Sequence, residues 1–363
     1  MTPPETPATM RAAVLHGRRD LRLERVPVPE AGEGELLIEV TAVGVCGTDA
    51  AEWAHGAKLM PLEVRHPVTG HLGPMTIGHE FAGRVVGVGS GVDDEWIGRL
   101  VASCGAGPCG TCDLCITGRS NLCRRYWSVG LHRDGALAPY VAAPVASCVD
   151  AGAWGLGEHE AALVQPMSIA VHAARRSSVV AGDVAIVQGI GGIGTFLIHV
   201  LVDLGATVVA VDLDEGRLAL ARDLGAHATI RGGTDSAASQ IAATWGESLP
   251  VFFEVTGSQR GMDLAIEIVP MGTTIVAVGI AKTATPVDLG RVTVRELSII
   301  GTNAMVRETD LDTAARLVAA RAGRWDAVAP APLPFDRVVD DALAPIAEGR
   351  PPAVKSLVLP PPL

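Results

Sequence analysis

Between residues 183 and 303 the apolar positions follow two periods. A continuous β-rich run, Val184 to Val187, is followed by apolar residues at Ile193, Phe196, Leu197, Val200, Leu201 and Leu204. The second set has the three-and-four spacing of an amphipathic helix. A second β-rich run, Thr207 to Val211, ends on Asp212. Further short runs follow at Ala228–Ile230, Val251–Glu254, Thr273–Val278 and Leu297–Ile300, with helical patterns between them. Regular β-α alternation predicts an α/β fold with a doubly wound, six-stranded parallel sheet.

The turn after the first run reads Gly189-x-Gly191-x-x-Gly194. Glycines at these places permit a tight turn, close approach of a diphosphate, and close packing of helix on strand. The free N–H groups of the following helix favour an anion. Asp212 lies 18 residues beyond Gly194, at the end of the next strand. There it can bond ribose hydroxyls and repel a 2′-phosphate, which favours NAD over NADP. Strand, glycine turn, helix and acid occur together, and that makes the fingerprint specific. The expected cofactor contacts are Gly189, Gly191, Gly192, Ile193, Gly194, Asp212, Arg217, Thr256 and Gly279.

The longest apolar stretch is this same βαβ unit. It is broken by five glycines after Gln188 and carries His199 and Asp203, so it reads as buried structure and not as a membrane span. The 363-residue length suggests two domains, and 48 % hydrophobic against 19 % charged residues allows large cores. A net charge of −11, with no Lys/Arg run longer than two, gives no general attraction for nucleic acid or anionic membrane. The opening "MTPPETPATMRAAVL" shows no secretory signal, so a cytoplasmic setting with reduced thiols is expected.

Five of the seven cysteines fall in "CGAGPCGTCDLCITGRSNLC", residues 104–123. Cys109, Cys112, Cys115 and Cys123 have the spacing C-x2-C-x2-C-x7-C, suited to a tetrahedral Zn²⁺. A four-cysteine iron–sulfur site is the competing metal reading. A closed set of four sulfurs leaves no open position, so this lobe reads as structural. Cys104 and Cys148 are left over as core residues. A second set of soft and borderline ligands lies in "VGVCGTD" (Cys46, Thr48, Asp49) and "TIGHEFAGRVVGVGSGV" (His79, Glu80).

Together these motifs resemble the zinc-dependent medium-chain alcohol dehydrogenases, from about Met10 to Pro360. Within them the polyol and butanediol dehydrogenases look closest, through "HPVTGHLGPMTIGHEF" and the closing "AVKSLVLP". The resemblance implies a GroES-like, β-rich catalytic domain over 1–165 and 304–363, carrying the structural-zinc lobe at about 104–123. It implies a Rossmann NAD-binding domain over 166–303. Two zinc ions per chain are implied, one structural and one catalytic. Cys46 and His79 map onto ligands of the catalytic zinc, Glu80 onto a residue beside it that ligates in some states, and Thr48 onto the hydroxyl that takes the substrate proton. Asp49 maps onto the acceptor that orients His79. A homodimer or homotetramer, paired through the last strand of the NAD sheet near Leu297–Gly301, is also implied.

Two departures stand out. The third ligand position, a Glu in polyol-type relatives, is Gln165 here, a neutral and weaker donor. Several relatives have a relay histidine five residues after the ligand cysteine; here that residue is Ala51. The proton then needs another route, through the nicotinamide ribose and water or through His55. The expected function is hydride transfer between NAD(H) and a secondary alcohol, diol, polyol or cyclitol, interconverting alcohol and ketone. The alternatives are a relative without catalytic zinc, reducing carbonyls or enones with NAD(P)H, and a non-catalytic NAD-binding protein.

Overall fold

The computed structural model describes residues 6–361. Residues 1–5, which open the segment searched for a secretory signal, and residues 362–363 lie outside the described residues. The chain forms two compact units, Met1–Gln165 with Val306–Leu363, and Pro166–Met305. The chain returns to the first unit at Val306.

The first unit is built on strands β1 (Thr9–Gly17), β2 (Asp20–Pro27), β3 (Glu35–Val45), β4 (Met75–Thr76), β5 (Glu80–Val88), β6 (Leu100–Ser103), β7 (Tyr140–Pro144) and β8 (Cys148–Asp150). β3 is its organising element. Its first half alternates half-buried and buried residues, as a strand with one covered face should. From Ala42 to Val45 every residue is buried, so the strand runs into the interior just before Cys46. β5 pairs antiparallel with β3 and β6 with β5. Leu36, Ile38, Val43, Phe81, Val85 and Val101 share one core with Leu15, Met75 and Leu137. Each such side chain taken out of water contributes about 1.5–3 kcal/mol, which offsets the ordering of the strands.

The second unit holds β9 (Val184–Gln188), β10 (Thr207–Asp212), β11 (Ala228–Arg231), β12 (Val251–Glu254), β13 (Thr274–Ala277) and β14 (Ser298–Gly301). All pair in parallel, in the order β11-β10-β9-β12-β13-β14. The six runs expected from the sequence are these six strands, with ends moved by a residue or two. The order reverses between β9 and β12, so loops diverge there at the carboxyl ends of the strands, where ligands of such sheets bind. The long apolar stretch is β9, a helix and β10. Among the described residues no helix is long and apolar enough to cross a membrane.

A last strand, β15 (Ser356–Val358), returns to the first unit and pairs antiparallel with the inner end of β3, with Ser356 opposite Val45 and Leu357 opposite Gly44.

Candidate active site and metal centres

Cys46 caps the first helix, α1 (Gly47–His55), directly after β3. Asp49, in the first turn of α1, is fully buried. Its Oδ2 accepts the Cys46 N–H at 2.9 Å, and its Oδ1 lies 3.2 Å from His79 Nδ1. One carboxylate therefore fastens both the backbone of Cys46 and the ring of His79. With Nδ1–H given to Asp49, Nε2 is left with its lone pair outward, the arrangement of a metal-ligating imidazole. Burial alone would lower the His79 pKa, but the charge of Asp49 and its hydrogen bond hold it well above the usual histidine value.

His79 directly precedes β5 and follows Gly78, which has φ +101°. A Cβ on Gly78 would stand 2.9 Å from the Leu137 backbone nitrogen, so glycine is required there. Ligand atoms of Cys46, His79 and Glu80 all lie within 4.8 Å of one another. A thiolate, an imidazole and a carboxylate at this separation suit one Zn²⁺. Gln165 is buried, near the start of the helix Val164–Ser177. Thr48 is half-buried in the first turn of α1, Ala51 half-buried further along it, and His55 exposed at its end.

One charged partner was not foreseen from the sequence. Lys355 Nζ lies 2.8 Å from Oε1 and 2.7 Å from Oε2 of Glu80, with both side chains almost fully buried. Burial would lower the Lys355 pKa, but the Glu80 carboxylate, with help from Cys46, raises it. Glu80 stands opposite Gly44 on β3, and a Cβ on Gly44 would collide with its carboxylate. Glu80 lies across a glycine gap in the central strand to reach the chain beside β15. The available signal was a single lysine inside the apolar closing run "AVKSLVLP".

In the cysteine lobe, the sulfurs of Cys109, Cys112, Cys115 and Cys123 lie within 4.8 Å of one another, and all are free thiols. Cys112 Sγ is 3.5 Å from Cys115 Sγ and 3.9 Å from Cys123 Sγ. Sulfurs around a tetrahedral zinc with Zn–S of about 2.3 Å stand about 3.8 Å apart, so the lobe fits the ion. Cys123 Sγ accepts N–H groups from Cys109 (3.2 Å) and Arg125 (3.3 Å), which fix the sulfur in the loop. Cys104 and Cys148, by contrast, are enclosed, and burial pushes their thiols up to about 11 and about 12.

In the second unit Gly189 has φ +99°, and a Cβ on it would meet Thr256 Cγ2 at 2.8 Å. A Cβ on Gly194 would collide with the Gly189 carbonyl. The helix Gly192–Asp203 starts from Gly191 with no side-chain cap, so its first-turn N–H groups are open to an anion. Asp212 is buried. Its Oδ2 accepts the Ile190 N–H at 2.6 Å and its Oδ1 the Asp214 N–H at 3.0 Å, with Arg217 Nη1 3.8 Å from Oδ2. The acid is thereby locked beside the glycine turn. The structure brings Gly189, Thr256 and Gly279 together as well, because a Cβ on Gly279 would collide with Gly257.

Residues 32–153 match the family model described as Alcohol dehydrogenase GroES-like domain, and residues 192–320 that described as Zinc-binding dehydrogenase. The chain is 35 % identical to an L-threonine 3-dehydrogenase of Chelativorans over 77 % of its length and 79 % of the relative's. It is 33 % identical to a Gallus gallus sorbitol dehydrogenase, covering 80 % of this chain and 81 % of that one. The solved 2R,3R-butanediol dehydrogenase of Bacillus subtilis superposes with a TM-score of 0.86 at 28 % identity, covering 97 % of this chain and all of the other. With two metal-suited clusters in one unit and a dinucleotide fingerprint in the other, the chain belongs to the zinc-dependent medium-chain alcohol dehydrogenases, oxidoreductases that act on alcohol groups with a nicotinamide cofactor.

Proposed function

We propose that the chain interconverts a secondary alcohol and its ketone on a diol, polyol or cyclitol, with NAD(H) as cofactor and a catalytic zinc. The observation that carries this reading is the juxtaposition of Cys46, His79 and Glu80, with Asp49 fixing the first two. A zinc ion held there supplies Lewis acidity toward an alcohol oxygen. NAD on the glycine turn supplies the hydride acceptor.

The chain's own residues do the rest. Cys46 and His79 would hold the ion, with the neutral oxygen of Gln165 as the third ligand. Lys355 draws Glu80 toward β15 and balances its charge, so the carboxylate would serve the ion as a reserve ligand. Thr48 Oγ1 takes the substrate proton. Ala51 cannot pass that proton on, and His55 at the exposed end of α1 is the nearest histidine in sequence to carry it to solvent. Arg217 and the Ile190 N–H orient Asp212 toward the adenosine ribose, where its charge disfavours a 2′-phosphate. The four-cysteine lobe anchors its loop. The half-buried Ile299 and Ile300 on edge strand β14 support a homodimer or homotetramer.

The test is elemental analysis of metal-replete protein, followed by a panel of diols, polyols and cyclitols with NAD. Two zincs per chain with turnover on the panel support the reading. One zinc that resists mild chelation, with no turnover, sinks it and brings forward the zinc-free reductase.

A further inference from the structure

Glu254 closes strand β12 as a buried carboxylate with, among the described residues, no cation among its hydrogen-bond partners. Its Oε1 accepts the Thr256 N–H at 2.9 Å and the Thr256 hydroxyl, and its Oε2 accepts the Gly257 N–H at 3.0 Å. Thr256 Oγ1 lies 2.7 Å from Ser258 Oγ, which in turn accepts the Gly261 N–H at 3.0 Å and caps the helix Gln259–Ile268. The loop so held is wedged between two others. The Val255 N–H donates to the Gln188 carbonyl, and the Val278 and Gly279 N–H groups both donate to the Glu254 carbonyl. On one side Gly189 leaves no room for a Cβ beside Thr256, and on the other Gly279 leaves none beside Gly257. A side chain at either place, or a shift of the loop by less than a methyl group, would change the wall of the glycine turn.

Two helix N-termini open at this end of the sheet, after β9 and after β12, and both attract anions. They are treated differently. The helix after β12 has its N-cap filled by Ser258, and the N–H groups just before it are occupied by the chain's own carboxylate. The helix after β9 is left uncapped. A diphosphate is thereby directed to Gly191–Gly192.

We propose that Glu254 is a positioning residue for the nicotinamide dinucleotide: its two oxygens fix Thr256 and Gly257 against Gly189 and Gly279, so that the cofactor wall is formed before the cofactor arrives. This rests on reading Gly189–Gly194 as the dinucleotide site. Preformed loops bind more tightly because their ordering entropy is not lost on binding.

The test uses the full-length, zinc-replete protein and NADH, followed by ligand fluorescence and by hydrogen exchange of peptides spanning 252–262. Glu254→Gln keeps the volume but turns an NH2 group toward one of the two amides. Its Kd for NADH is expected to rise by about tenfold or more, as for hydrogen bonds lost to a charged acceptor. Exchange across 255–258 should quicken in the free protein, while zinc content and exchange in 184–188 and 207–212 stay as in the parent. Glu254→Asp, which keeps the charge but is too short to span both amides, should weaken binding less and covers the case in which Glu254→Gln does not fold. Parent-like NADH affinity in either folded variant overturns the positioning role alone. Failure of the unaltered protein to bind NADH overturns the dinucleotide site and the proposal with it.

Discussion

Lys355 Nζ stands within 2.8 Å of both carboxylate oxygens of Glu80, and neither side chain is more than 5 % exposed. Such a pair gives little net stability as a unit, but losing one partner leaves a buried charge alone. Lys355→Met should therefore destabilise the first unit by about 3–5 kcal/mol in urea unfolding. The double variant Lys355→Met/Glu80→Gln should recover most of that loss. Equal stability of the single and double variants would show that the two charges are not coupled.

Asp49 accepts hydrogen bonds from both Cys46 and His79. Asp49→Asn keeps the shape but offers one acceptor where two are used. Zinc affinity at the Cys46–His79 site should fall by about 10–100-fold. Titration with a competing chelator measures this, and the four-cysteine lobe, which does not touch Asp49, serves as the internal reference.

Asp212 is held by two backbone N–H groups beside the glycine turn. On the proposed reading, Asp212→Ala removes the charge that disfavours a 2′-phosphate and the acceptor for ribose hydroxyls. The ratio of kcat/KM for NAD to that for NADP should drop by at least tenfold, about 1.4 kcal/mol. An unmoved ratio would assign cofactor choice to other residues.

His66 and His132 stack with ring centroids 4.6 Å apart. His66 Nδ1 accepts the Thr69 N–H at 3.1 Å and His132 Nδ1 the Ser128 N–H at 2.9 Å, so both rings are built to be neutral. Burial lowers both pKa values. For His132, burial and then the neighbouring His66 bring it to about 4. The unfolded chain therefore binds more protons than the folded one below the ordinary histidine pKa. The stability from this pair is complete above about pH 6.5 and declines as the pH falls toward 4. In His132→Asn, whose Oδ1 can still accept the Ser128 N–H, the fall in Tm from pH 7 to pH 4.5 should be smaller by a few °C. An identical pH slope in the variant would place the acid sensitivity elsewhere.

What could be read in the sequence was local. Gly189, Gly191 and Gly194 declare themselves because a tight turn and a close approach need glycine within a few residues, with a strand just before them, a helix just after and Asp212 at the end of the next strand. The spacing Cys109–Cys112–Cys115–Cys123 is legible for the same reason: one loop holds all four sulfurs. Glu80 and Lys355 are 275 residues apart, and only the pairing of β15 with β3 brings them together. Glu254 looked like any acid at the end of an apolar run. Its importance depends on how three loops nest at the end of the sheet, which no single window of residues carries. The His66–His132 stack likewise joins two loops whose sequences do not announce each other.

The place of β15 has a consequence for how the protein is made. Ser356 pairs with Val45, one residue before Cys46, while the whole Pro166–Met305 unit lies between them in the chain. During synthesis at about 5–20 residues per second, the dinucleotide unit is complete and free to fold while β3 still lacks its outer neighbour and Glu80 its cation. For tens of seconds the nascent first unit carries an open strand edge and a bare interior carboxylate. The inner end of β3 and the Glu80 carboxylate are thus completed only after the intervening unit has been made, when β15 pairs beside them.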